Sequence, residues 1–169
     1  VQLQRSLGIT FILVTHDLEE AIECSSRIAV MREGRIAQYA EPEHIFERPS
    51  SVYVARLVGM ENLLDGRVVA RHGAAARVDL GFTEVEIAQA PAEDVVTVGV
   101  HGEHIRLAAP GGPLSGTVTD VRYLGEATRC RIQVGAASLV ANISPREVVR
   151  VGDAVSLDIP SDAWIGLAP

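Results

Sequence analysis

Thr15-His16-Asp17 is the step of this 169-residue chain best equipped to do chemistry. An imidazole can donate or accept a hydrogen bond near neutral pH, and a neighbouring carboxylate can orient a helix or a ligand. The step closes the apolar run Phe11-Ile-Leu-Val-Thr15. With no alternation, that run reads as a strand buried on both faces of a parallel sheet. Asp17 then reads as the N-cap of the acidic stretch Leu18-Glu-Glu-Ala-Ile-Glu23, with Glu19 and Glu20 in the first turn and Glu23 on the same solvated face. In open α/β sheets ligands bind beyond the carboxyl ends of the strands, where His16 falls. The place suits a group that handles phosphate; it also suits a hydrogen-bonded structural histidine.

Other residues invite and then weaken chemical readings. His101-Gly-Glu-His104 sets two imidazoles three apart, a spacing that two metal ligands can share. The glycine between them and the want of a carboxylate-rich partner segment favour a turn leading into Ile105-Arg-Leu107, and no metal is expected. Cys24 and Cys130 fall in different expected domains and read as reduced, buried or inert thiols of a cytosolic protein. Tyr123 and Trp164 read as core or barrel-rim residues. All 15 basic residues are arginine. The chain therefore has no lysine of the kind a phosphate loop uses to reach the β- and γ-phosphates.

The net charge of −7 argues against a nucleic-acid partner, which needs clustered basic charge. A hydrophobic share of 47% with 22% charged residues is that of a folded protein. No apolar run reaches the roughly 18 residues of a membrane span, and no signal peptide opens the chain. The first residue is Val, so the chain is expected to begin inside a longer protein.

The elements that must hold these residues change character midway. Residues 1–59 read as α/β. A helix over Gln2–Leu7 is capped by Gly8, and strand 11–15 and helix 18–25 follow. Next comes a hairpin, Arg27–Arg32 and Arg35–Tyr39, turning at Glu33-Gly34. Pro42 opens a short helix through Glu47, and Ser51–Val58 forms another that ends at Gly59. From Asn62 the segments are short, alternating and punctuated by glycine. They repeat at about fifty residues. Gly66–Arg71 matches Gly116–Val121, Arg77–Gly81 matches Arg131–Gly135, Val85–Ala88 matches Leu139–Asn142, and Val96–Val100 matches Ala154–Asp158. The expected parts are a first β repeat over 60–109, a hinge at 110–113 within Ala109-Pro-Gly-Gly-Pro113, and a second β repeat over 114–169. Four or five strands in each suit two small barrel-like lobes or one composite barrel.

In this order the pieces resemble the C-terminal part of an ATP-binding subunit of an ABC importer that carries a TOBE-type, OB-like regulatory domain. The residues are Gly8-Ile-Thr10, Val14-Thr-His-Asp17, Glu19-Glu-Ala21, Arg27-Ile-Ala-Val-Met31, Gly34-Arg-Ile-Ala-Gln38 and Pro42 through Pro49. Glu61-Asn-Leu-Leu-Asp-Gly66, Gly102-Glu-His-Ile-Arg106 and Tyr123-Leu-Gly125 continue the match into the β region. Departures occur at Ser26, at Ala40-Glu41 and at His101-Gly102, away from His16.

The fold this implies is the end of a nucleotide-binding domain followed by an all-β OB-like barrel domain of two TOBE-like repeats. The resemblance implies that His16 is the switch-loop histidine, touching the ATP γ-phosphate and the attacking water in the intact protein. ATP and Mg²⁺ would be held by motifs that precede the histidine in such subunits, so neither is expected to bind tightly to this chain alone. Leu114-Ser-Gly-Thr117 imitates the start of a signature sequence but lacks its second glycine and glutamine. Implied partners are a second copy of the subunit as a homodimer, transmembrane permease subunits and a solute-binding protein. The implied place is the inner face of a prokaryotic cell membrane, as a peripheral cytoplasmic protein. The β domain reads as a dimerising regulatory module, a small-ligand sensor, or both. The alternative from another class is a free-standing TOBE-like module that binds an oxyanion and hydrolyses nothing.

Overall fold

Residues 8–108, 111–112 and 114–169 are described by a computed structural model of the chain. They divide at Gly59 into a first unit and a second unit that runs from Met60 to Ala168. The helix expected over Gln2–Leu7 lies outside the described residues, as do Pro110 and Pro113 of the expected hinge and the adjoining Ala109.

In the first unit, α1 spans Leu18–Cys24 and is capped by Asp17, whose Oδ1 accepts from the Glu20 N–H at 3.2 Å. Strands β1 (Ile28–Arg32) and β2 (Arg35–Ala40) form an antiparallel hairpin. Its two turn residues both have positive φ, 51° at Glu33 and 75° at Gly34, which is the turn twist a two-residue hairpin prefers. Helix α2 (Pro42–Glu47) starts on proline, where a missing N–H costs nothing. Helix α3 (Val52–Leu57) is capped by Ser51, whose Oγ accepts from the Val54 N–H. Ile28, Val30, Ile45, Val54 and Val58 make a small buried core, with Leu18, Ala21 and Tyr53 packed at its margin. Tyr53 donates to the Met31 carbonyl at 3.0 Å and lies under the Arg32 guanidinium.

One expected element is corrected. Phe11–Thr15 is not a strand, and it is not buried: Ile12 and Val14 are 90% and 91% exposed. A strand exists only through hydrogen bonds to a neighbour, and among the described residues the one sheet of this unit is the β1–β2 hairpin. The composition of the run carries its burial preference; the partner that would satisfy it is not among the described residues.

The second unit is all β apart from two 3₁₀ turns. Its first sheet holds β3 (Asn62–His72), β4 (Ala75–Asp79), β5 (Glu84–Ile87) and β6 (Val95–Val100). The 3₁₀ turn Gly102–His104 leads into β7 (Arg106–Ala108). The second sheet holds β8 (Leu114–Tyr123), β9 (Thr128–Val134), β10 (Ala137–Ile143) and β11 (Ala154–Asp158). The turn Ser161–Ala163 leads into β12 (Ile165–Leu167).

The strand orders, β12-β6-β3-β4-β5 and β7-β11-β8-β9-β10, are the same order written twice. The internal repeat is thus a repeat of topology, as expected for paired OB-like lobes. It extends to irregularities. The β3–β4 ladder slips between Val68 and Ala70, and the β8–β9 ladder slips fifty residues on, between Val118 and Asp120. The residue before each slip donates to an aspartate carbonyl: Val68 to Asp94 at 2.8 Å and Val118 to Asp153 at 2.9 Å.

The fifth strands are exchanged. β7 follows the first four strands in the chain but pairs with β11 of the second sheet, while β12 returns to pair with β6 of the first. One core serves both sheets, with Val78, Val98, Ile132 and Leu139 at 0% exposure and Trp164 among its buried members. Each such side chain contributes about 1.5–3 kcal/mol on burial.

Candidate functional site

His16 is exposed and stands one residue before Asp17, the N-cap of α1. Two local hydrogen bonds flank it. Thr15 Oγ1 accepts from the Asp17 N–H at 3.0 Å, and the Asp17 carboxylate is engaged in capping the helix. The cap in turn is anchored because α1 lays Leu18 and Ala21 against the small core. Thr15 and Asp17 are therefore engaged in local structure, and the His16 side chain is exposed. Glu19 and Glu20 sit in the exposed first turn, with Glu23 further along the same exposed helix. Among the described residues, one shallow hollow is lined by Arg32, Glu33, Arg35 and Ala37 of the hairpin and another by Arg27, Tyr39, Ala40, Glu41 and His44, and neither includes His16.

The second candidate, His101 to His104, lies at the 3₁₀ turn before β7. His101 is buried, and the two rings meet edge to face with centroids 6.0 Å apart. A Cβ on Gly102 would stand 3.0 Å from the Val140 carbonyl, so the glycine permits the 3₁₀ turn to press against β10. Among the described residues no group of three His, Cys, Asp or Glu could hold a metal ion. Trp164 is in the core, whereas Tyr123 is exposed at the end of β8. Cys130 is buried, and burial, followed by the carboxylates of Glu147 and Asp120, pushes its thiol pKa up. Cys24 is exposed, so of the two thiols expected to be buried or inert only Cys130 is buried.

Two buried polar residues escape a reading by residue type. Asn62, 2% exposed, donates to the carbonyls of Val100 and Val140 and accepts from the Val140 N–H. Ser156, 1% exposed, accepts from the N–H groups of Gly111 and Gly112. An asparagine at the head of an alternating apolar strand was the one available signal for the first. The second depends on pairing across 44 residues and left no local trace.

The class follows from fold and family together: residues 98–167 match the TOBE domain family, and the chain carries a TOBE domain. Over almost its whole length it is further similar to spermidine/putrescine import ATP-binding proteins. It is 37% identical over 171 residues to that of Mesorhizobium japonicum, covering 96% of this chain and 47% of the relative. It is 38% identical over 171 residues to that of Ruegeria pomeroyi, covering 95% and 46%. The protein of Rubrobacter xylanophilus is 38% identical over 167 residues, covering 92% and 44%. The chain spans about half the length of the curated relatives it matches. The resemblance to the C-terminal part of an ABC importer ATP-binding subunit thus holds. In fold it is similar to a crystal structure of the cytoplasmic molybdate-binding protein ModG, with a TM-score of 0.56 at 16% identity, covering 66% of this chain and 98% of that one. No helix of the described residues is long and apolar enough to cross a membrane.

Proposed function

We propose that this chain is the C-terminal segment of the ATP-hydrolysing subunit of an importer, with polyamines as the cargo. The observation that carries the reading is the alignment to spermidine/putrescine import ATP-binding proteins. Covering 96% of the chain, it leaves out too few residues to miss either the His16 step or the TOBE domain. In the intact protein His16 contacts the γ-phosphate and the attacking water. Phosphoryl transfer depends on positioned donors more than on covalent partners, and an exposed imidazole on a backbone held by Thr15 and Asp17 supplies one. ATP and Mg²⁺ are held by parts outside these residues, since a chain without lysine has no phosphate loop.

The β unit acts as a regulatory module that pairs two subunits. The partners are a second copy, permease subunits and a solute-binding protein, at the cytoplasmic face of the membrane. The test is ATP-dependent uptake of spermidine or putrescine by vesicles holding the intact protein with its permease, beside ATP hydrolysis by the 169-residue chain alone. Uptake with the first and no hydrolysis by the second is expected; hydrolysis by the isolated chain at an ordinary enzymatic rate would overturn the reading. The oxyanion-module reading has the likeness to ModG behind it, which is a likeness of fold. Calorimetric binding of molybdate to the 169-residue chain would favour it.

A further inference from the structure

β10 is an edge strand, so the backbone groups of Val140 that face away from β9 have no strand to meet. Val140 is nevertheless buried. A bare N–H and C=O there would carry the penalty of unsatisfied buried polar groups. Asn62 meets both. Its Oδ1 accepts from the Val140 N–H at 2.6 Å, and its Nδ2 donates to the Val140 carbonyl at 2.8 Å. The second hydrogen of Nδ2 goes to the Val100 carbonyl of β6 at 3.1 Å. One side-chain amide stands in for a missing partner strand and uses its full donor capacity to do so.

The residues beside it straddle the same seam. Met60 is buried where β6 carries Gly99, and any Cβ on that glycine would collide with the Met60 sulfur. Glu61 pairs with Arg129 of β9 at 3.3 Å. Asn142 of β10 donates to Glu103 at 3.2 Å. Entering the β unit, the chain therefore touches the first sheet through Met60, the second through Glu61, and both through Asn62.

We infer that Asn62 is a lock that fixes the open edge of the second sheet to the first. With the strand exchange, it makes the β unit answer as one body to whatever binds either sheet. The inference stands on the β unit and does not depend on the importer reading.

Hydrogen exchange of the 169-residue chain, resolved by residue, reads the lock. In the wild-type chain the Val140 amide, which points away from β9, is expected to exchange as slowly as that of Ala141, which points towards it. Asn62→Leu, similar in size and without the amide, is expected to speed Val140 exchange by about tenfold or more relative to Val78 in the other sheet. Equal acceleration of Val140 and Val78 would overturn the lock, as would an unchanged Val140. Should the leucine variant not fold, Asn62→Ser, too short to reach both backbone groups, takes its place with the same expected outcome. A wild-type Val140 amide that exchanges like an open edge would overturn the inference without any variant.

Discussion

His16 and Cys130 differ in what surrounds them, and that difference decides what each can do. His16 is exposed at the head of a capped helix, while Cys130 faces the core from β9. The thiolate is the nucleophilic form, and burial together with Glu147 and Asp120 disfavours it at Cys130. Iodoacetamide is therefore expected to modify Cys24 alone in the native chain and both cysteines after unfolding in urea; equal native labelling would contradict the burial. The same shift has a consequence for stability. With the folded pKa raised, the unfolded state releases the proton first. The Cys130 contribution is thus complete below about pH 8.5 and is lost as pH rises through the folded value. A Cys130→Ala variant is expected to show a flatter decline of stability over that alkaline range.

At the scale of elements, the repeat gives paired predictions. Gly66 and Gly116 occupy equivalent places in β3 and β8. A Cβ at Gly116 would stand 2.6 Å from Ile132 Cγ2 and 2.7 Å from the Gln133 carbonyl, and one at Gly66 would collide with Val78. Gly66→Ala and Gly116→Ala are each expected to cost about 1–3 kcal/mol, seen as a lower urea midpoint with an unchanged slope. Unaltered midpoints would show that the ladders have more room than the geometry allows.

The hairpin, the three short helices and the two sets of four strands were legible because each depends on neighbours in sequence: a Glu-Gly turn, a Pro or Ser cap, an alternation of period two. Phe11–Thr15 was misread as a formed strand because its composition records burial but not which strand covers it. The exchange of β7 and β12 left no local signature, since three-residue strands announce neither sheet. Asp17 was legible as a helix cap from its place before an acidic helix; Asn62 was not legible as a link between sheets, because its partner is 78 residues away.

At the scale of the whole molecule, the exchanged strands make the two repeats dependent on each other. β12, from the end of the chain, supplies the edge of the first sheet, and Leu167 is buried in the core there. A chain ending at Ile159 is accordingly expected to lose the cooperative unfolding of the first sheet as well as the second, followed by exchange protection at Val78 and Val98. Protection retained at those residues would mean that the first repeat folds without its borrowed strand. The functional reading rests on His16 acting in an intact import ATPase, and the most direct measurement is ATP hydrolysis by that protein carrying His16→Ala. Because His16 is exposed, the variant is expected to fold and to bind ATP as before while its hydrolysis rate falls about a hundredfold or more. A hydrolysis rate equal to that of the unaltered protein would contradict the role assigned to His16.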